Sequence, residues 1–440
     1  MSQNGSTVLT SPDPIVISGM AIEAPGGIDS PNALWSALVG SRELLTPFPR
    51  DRGWPIKDLL SVSQLDGWGP VRDAGGFLDN AATFDPPFFG ITHREAIVMH
   101  PQQRVALRVA WKALENSGIN PSTLDGSDGG CFVGMSPMEY GPRAAVADAY
   151  SGHRIASLGQ LGAAARISHC LGLTGPSMCV DSACASSLTA LHLAASAVRS
   201  DECDWALAGG VCVMGSPGAF FEFARLNALS TDGHCRAYSD NATGTVWGEG
   251  AGMVLVERES RARQLGHTIY GRILGIRTNH NGKGKPILVP RVRAQAQLVV
   301  KTLEAAGIDP ADVGMIEGHG TATLAGDPVE LIALFKTYGA SGSEALLGSI
   351  KSNIGHAQAA SGILGLIKLL LAGQHGQVPP SLFSNTPTKM VDWNLTGLQL
   401  ATKLHEWKPK DGVRYGATSS FGAGGANAHA IIAMPAGTRG

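Results

Sequence analysis

One cysteine and two histidines of this chain fall in short polar turns beside apolar runs, where a side chain can face a cleft and react. Cys184 lies in the run Met178 to Thr189, MCVDSACASSLT. Met178 to Val180 reads as a short apolar strand, Asp181-Ser182-Ala183 breaks it, and Leu188, Leu191, Ala195 and Val198 pattern the helix that follows. The spacing predicts Cys184 at the first turn of that helix. Unpaired backbone N–H groups and the positive end of the helix dipole favour a thiolate there, and an N–H of the same turn is available to an oxyanion. Standing alone, the pattern fits a buried structural cysteine better.

Three downstream turns reverse that reading. EGHGTATLAGDPVE carries His319, KSNIGHAQAASG carries Lys351 and His356, and SSFGAGGANAHA follows near the C-terminus. Each histidine lies between glycines or just after one, next to apolar runs such as Val313 to Ile316 and Ile363 to Leu371. A sheet-based fold presents side chains to a cleft from such turns. One cysteine with histidines far away in sequence is the arrangement of a cysteine nucleophile.

Other features read as packing. GTVWGEGAG lacks the strand, GxGxxG and helix order of a dinucleotide site. Neither CxxC nor HExxH spacing occurs, so no metal and no cofactor is expected. Trp54, Trp68, Trp247, His192 and His429 are expected to pack or to lie on element faces.

The positioning elements alternate between strand and helix signals, which predicts a mixed sheet covered on both faces. Strands are expected at Ile15 to Ile22, Trp205 to Val213, Gly250 to Glu257 and Ile269 to Arg277, and helices at Pro31 to Leu38, Pro101 to Ser117 and 292 to 306. The charged segment Arg258 to His267 marks a division between two halves. The 440 residues, 44% hydrophobic and 16% charged with 57 glycines, suit a compact α/β enzyme with a large core. A net charge of -2 and no basic stripe exclude nucleic acid and a membrane surface as partners. The seven cysteines lie mostly in apolar runs, and no apolar run is long enough to span a bilayer, as expected of a cytoplasmic protein. Residues 1–12 read as a loose tail.

The order Cys184, HGTAT, KSNIGH and FGAGGANAH resembles the β-ketoacyl synthase family, in particular the ketosynthases of modular type I polyketide synthases. VISGMAIEAPGG, PQQRVALRVAWKALENSGI and GTVWGEGAGMVLVER extend the resemblance over nearly the whole chain. It implies a thiolase-like αβαβα fold of two α/β halves related by a pseudo-twofold axis, here 13–262 with the nucleophile and 263–435 with the histidines, usually as a homodimer. It also implies an acyl carrier protein as partner. Cys184 would take the acyl chain, with the N–H groups of Cys184 and Ala423 as oxyanion hole. His319 and His356 would stabilise an enolate, and Lys351 would orient and tune them. Asp327 and Glu330 match supporting family positions, although a turn and a helix-cap role fits them at least as well.

Departures from the family pattern surround the pocket. Ala423 stands where a bulky gate is usual, Ser182, Ala185, Ala322 and Ala426 replace common residues, and His100 replaces an acidic one. The segment TNHNGKGKPILVPRVRAQ brings His280, Lys283, Lys285 and two prolines, predicting a wide pocket shaped by Ala423 and His280 under a stiff, cationic rim. The chain ends shortly after its last family motif, which reads as a free-standing enzyme served by its carrier in trans. An intramolecular aldol and lactonising ring closure, as in bicyclases of the salinosporamide type, is placed slightly ahead of decarboxylative Claisen extension. An acyl-transfer gatekeeper or an inactive scaffold are the remaining alternatives.

Overall fold

The computed structural model describes residues 13–141, 147, 149, 151–283 and 286–436; the expected tail 1–12 and Lys285 lie outside the described residues. Thirteen strands are described: β1 (Ile15–Glu23), β2 (Gly129–Gly134), β3 (Ser177–Val180), β4 (Trp205–Cys212), β5 (Gly250–Arg258), β6 (Gly271–His280), β7 (Val313–Glu317), β8 (Leu346–Gly348), β9 (Gln377–Val378), β10 (Gln399–Leu400), β11 (His405–Glu406), β12 (Val413–Phe421) and β13 (Ala426–Pro435). Eleven of them form one mixed sheet in the order β10-β8-β7-β12-β13-β6-β1-β5-β4-β2-β3, and β9 pairs with β11.

The duplication expected from the resemblance is visible in the strand order. Reading outward from the join between β1 and β6, the run β1-β5-β4-β2-β3 mirrors β6-β13-β12-β7-β8. In each half the first three strands are antiparallel neighbours and the last two run parallel to the third. The join itself is slight: only Val16 with Arg272 and Ile17 with Gly271 are in register across it.

Helices Ser186–Arg199 and Ser361–His375 pack on each other and on strands of both halves, so they form the middle layer. Helices Pro101–Asn116 and Gly162–Leu171 cover the outer face of the first half, and Val292–Ala306 with Gly326–Thr337 covers that of the second. Five layers result, α on β on α on β on α. Their burial pattern explains the sequence: β1, β4 and nearly all of β5 are buried end to end, as strands covered on both faces must be. Helix Ser361–His375 is buried from Ser361 to Gly373, which is why its apolar character runs all round it. The charge inside it, Lys368, is fully buried and pairs with Glu317 at 2.7 Å.

Most expected elements fall within a residue or two of their predicted limits. The expected strand at Ile269 to Arg277 instead spans Gly271–His280, because its antiparallel pairing with β13 continues to His280 opposite Ala426. Among the described residues, no helix is long and apolar enough to cross a membrane.

Candidate active site

The reactive residues sit just beyond the carboxyl ends of the parallel strands, where an α/β sheet leaves a crevice. Cys184 follows β3, His319 follows β7, and Lys351 and His356 follow β8, while Ala423 occupies the turn between β12 and β13. Because β3 and β8 are equivalent in the two halves, Cys184 and His356 approach one another from symmetry-related elbows, each ahead of a middle-layer helix.

The cysteine elbow is tighter than the sequence suggests. The helix begins at Ser186 with Ala185 as its N-cap, so Cys184 precedes the helix and does not belong to its first turn. The bend is made at Ala183, whose φ of 53° is left-handed and costs on the order of 1 kcal/mol for a residue with a Cβ. Ser186 braces it, donating to the carbonyl of Ala183 at 2.5 Å and accepting the N–H of Ser182 at 2.9 Å. Two glycines bring other segments close. A Cβ on Gly134 would lie 2.4 Å from the Ser187 nitrogen, and one on Gly422 would lie 2.3 Å from the Ser182 carbonyl. Neither contact tolerates a side chain, so these glycines set the helix start on the sheet and the Ala423 turn against the elbow.

Reactive atoms of Cys184, His319 and His356 lie within 4.8 Å of one another, and all three residues are buried. The rings of His319 and His356 meet edge to face at 5.4 Å. His356 Nδ1 accepts the N–H of Gln358 at 3.1 Å and lies 2.8 Å from the Ser361 hydroxyl. An acceptor at Nδ1 places the proton of the neutral ring on Nε2, a donor for the cleft. Burial, reinforced by the Lys351 charge, holds both imidazoles well below their ordinary range, so they are neutral donors near neutral pH. A cysteine and two histidines could also take a cation with an open fourth position. The adjacent Lys351 ammonium opposes one.

The expected thiolate is corrected. Burial raises the Cys184 thiol to about 11, outweighing the opposing effects of Lys351 and of the backbone N–H groups of Ala423 and Cys184. The thiol is therefore protonated at rest, and its proton must leave as it attacks. Those same N–H groups, hydrogen-bonded to the sulfur, are the pair named from the sequence as an oxyanion hole.

Glu330 and Asp327 hold the histidine loop by its backbone. Glu330 accepts the N–H of His319 at 2.7 Å, that of Gly320 at 2.9 Å and the Tyr238 hydroxyl at 2.9 Å. Asp327 accepts the N–H of Tyr238 at 2.7 Å and that of Ala322 at 3.0 Å. Asp327 thus ties down Ala322, which has a φ of 61°, and burial raises its own carboxyl to about 7. Lys351 is 3% exposed, and burial lowers it against the raising charges of Glu317 and Glu330.

A cavity of about 210 Å³ opens on these groups. Its apolar wall includes Phe223, Leu226, Trp247, Leu288, Pro290 and Phe421, and its polar wall Asn281, Gln295, Thr321, Thr323 and Asn427. Ala423 lines it as expected; His280 does not. The His280 ring instead contacts the Gly424 carbonyl at 2.9 Å and accepts the Gly282 N–H at 3.0 Å, bracing the turn that carries Ala423. The rim differs too, since among the described residues the segment contributes Asn281, Leu288, Pro290 and Gln295 to the lining and not Lys283, with Ile287 and Leu288 more than half exposed. Trp247, expected to be packing, lines the cavity 5.1 Å from the His356 ring. His100 caps helix Pro101–Asn116 through Nδ1, and His429 is buried between Tyr338 and Ser419.

Sequence reasoning missed Gln295 and the Lys368–Glu317 pair. The signal for the pair was present: a lysine inside an apolar helix demands a buried partner, and Glu317 stands two residues before His319.

Comparison with known proteins agrees with this geometry. The chain matches the family described as "Beta-ketoacyl synthase, N-terminal domain" over residues 12–262 and "Beta-ketoacyl synthase, C-terminal domain" over 270–384. It is 43% identical to polyketide synthase GfsA of Streptomyces halstedii over 96% of this chain and 6% of the relative. It is 41% identical to erythronolide synthase EryA2 of Saccharopolyspora erythraea over 96% of this chain and 12% of the relative. The chain thus spans a small fraction of these curated relatives. The ketosynthase from module 6 of the bacillaene synthase of Bacillus subtilis 168 superposes with a TM-score of 0.89 at 34% identity, covering 97% of this chain and 73% of that one. The oxazolomycin ketosynthase domain OzmH KS7 of Streptomyces albus JA3453 gives 0.88 at 36%, covering 97% and 75%. With its thiolase-like fold, its buried cysteine and its two histidines, this chain belongs to the β-ketoacyl synthase family of transferases, among the ketosynthases of polyketide synthases.

Proposed function

We propose that Cys184 accepts an acyl chain from the thioester of an acyl carrier protein and that the loaded enzyme then forms a carbon–carbon bond. The observation that carries this reading is the convergence of Cys184, His319 and His356 within 4.8 Å at the end of one cavity. In the first half-reaction the Cys184 sulfur attacks the thioester carbonyl. The N–H groups of Cys184 and Ala423 hold the oxyanion, the carrier thiolate leaves, and the proton given up by Cys184 ends on that departing thiolate. In the second, the N–H groups of His319 and His356 hold the carbonyl oxygen next to the carbon that becomes nucleophilic; in extension that carbon attacks the acyl carbonyl, the bond to the Cys184 sulfur breaks, and the released thiolate takes up a proton. Burial, reinforced by the Lys351 charge, keeps both rings neutral as donors.

Two sources of that nucleophilic carbon remain in this reading. The complete Cys-His-His-Lys set favours decarboxylative Claisen extension, in which a malonyl-type carrier thioester loses carbon dioxide. The small side chain of Ala423 in the cavity wall favours an intramolecular aldol and lactonising release, since a folded chain needs the width. Delivery by a carrier in trans is part of the proposal, and turnover with a separately produced carrier protein tests it. A homodimer is also proposed; among the described residues β3 forms an unpaired edge of the sheet, with Met178 42% exposed.

Intact-protein mass spectrometry with an acyl-carrier substrate tests the core of the reading. Acyl mass on the peptide containing Cys184, lost in Cys184→Ala, is expected; label that persists or maps to Cys179 or Cys203 sinks it.

A further inference from the structure

The polar wall of the cavity contains a group with nothing to bind. Gln295, in the first turn of helix Val292–Ala306, is 1% exposed, and its Oε1 is buried with no hydrogen-bond partner among the described residues. The large majority of buried side-chain polar atoms are satisfied, and of the orphaned amide oxygens among the described residues the one on Gln295 belongs to the lining of the reaction cavity, where a ligand group can meet it.

A network of asparagines prepares a second group beside it. Asn427 Nδ2 donates to Asn279 Oδ1 at 2.9 Å and to Asn281 Oδ1 at 3.0 Å, and Asn279 Nδ2 donates to the carbonyl of Ala294 at 2.8 Å. The last bond anchors the backbone next to Gln295. The Asn427 bond takes one lone pair of the Asn281 oxygen and turns that oxygen toward the network, so the donor that Asn281 offers the cavity is its NH2. Gln295 and Asn281 thus present an acceptor and a donor in the lining of the cavity that contains Cys184.

We propose that Gln295 and Asn281 form a polar subsite that selects acyl chains carrying a hydroxyl or a secondary amide, groups that donate and accept at once, over plain hydrocarbon chains. The inference rests on the reading that the chain loaded on Cys184 occupies this cavity. A site built around a hydrogen bond rejects the analogue that lacks it, because the analogue leaves the buried amide unpaired.

The test compares Cys184 acylation by pairs of N-acetylcysteamine thioesters, hydroxyacyl against deoxyacyl on the same arm, using intact mass to obtain kcat/KM. Wild type should prefer at least one hydroxyacyl member by roughly tenfold or more. Gln295→Leu should lose that preference, the hydroxyacyl chain slowing toward its deoxy partner, while Gln295→Glu, which retains an acceptor, should keep part of it. If Gln295→Leu fails to fold by circular dichroism, Asn281→Ala gives the same reading. No preference in wild type overturns the subsite. An equal loss on both members in the variant assigns Gln295 to the carrier arm and overturns it as well. A wild type that is not acylated by any member overturns the subsite together with the function it rests on.

Discussion

Glu330 receives the backbone N–H of His319 at 2.7 Å, so the position of one reactive imidazole is fixed by a carboxylate eleven residues further along the chain. The same carboxylate takes the Gly320 N–H and the Tyr238 hydroxyl. Replacing Glu330 by Ala leaves three buried donors unpaired, at about 1–3 kcal/mol each. The expected outcome is a loss of at least about 3 kcal/mol in denaturant unfolding. Glu330→Gln, isosteric and still able to accept, should recover much of that stability. If Glu330→Ala unfolds at the wild-type denaturant midpoint, the carboxylate does not hold the loop.

The roles of Glu330 and Asp327 show where sequence reading stops. Their types and spacing suggest a turn and a helix cap, but both lie inside helix Gly326–Thr337, neither caps it, and their bonds run to the backbone of residues 319–322 and to Tyr238. The strand at β1, the elbow after β3 and the helix at 292–306 were legible because period and punctuation are local. The twofold arrangement was not, since two halves that share strand order need not share residues. Solvation was equally invisible: a cysteine before a helix reads as activated, and only the packed structure reveals burial strong enough to raise its thiol to about 11. Likewise the lysine-bearing segment 279–292 reads as a cationic rim, but among the described residues what it turns to the cavity is Asn281, Leu288 and Pro290.

The thiol and the imidazoles make a pH prediction with opposite signs. Burial raises the Cys184 thiol, so its thiolate fraction, and with it the rate of iodoacetamide labelling on the Cys184 peptide, should still be climbing as pH passes 9. Burial lowers His319 and His356, so both stay neutral as pH falls through 6.5. Product formation from enzyme already acylated should accordingly show no inflection there. A labelling plateau near pH 7, or a drop in the second half-reaction at pH 6.5, contradicts this electrostatic picture.

Replacing either histidine separates the two half-reactions. His319→Ala and His356→Ala should each retain most acylation at Cys184 while carbon–carbon product falls by about 100-fold or more, the usual scale for a lost donor at a developing oxyanion. Folded variants that cease to acylate would place the imidazoles in nucleophile activation alone.

The buried pair between Lys368 and Glu317 should be costly to break. Lys368→Met leaves Glu317, 1% exposed, as an unpaired buried carboxylate that still accepts the Ile350 N–H at 2.6 Å. A destabilisation of about 3–5 kcal/mol is expected. Because Ile350 precedes Lys351, the reactive lysine should shift with it, and the double variant Lys368→Met with Glu317→Leu should regain stability. Additive losses in the double variant would show that the two charges are independent.

Ala423 decides between extension and ring closure. Its side chain lines the cavity beside Cys184, on a turn held by Gly422 and braced by His280. Phenylalanine there adds a ring to a cavity of about 210 Å³, and a close-packed wall cannot absorb it without displacing the chain it faces. If the loaded chain folds on itself, a carrier-bound β-ketoacyl chain with an internal carbonyl should leave as a ring without a malonyl donor and without carbon dioxide. Ala423→Phe should then slow cyclisation more than acylation. If the enzyme extends chains, turnover should require a malonyl-type carrier thioester, release one carbon dioxide per product and lengthen the chain by two carbons. Under extension Ala423→Phe should shorten the longest chain accepted while leaving short-chain turnover in place. Dependence on the malonyl donor would therefore rule out ring closure whatever the width of the pocket.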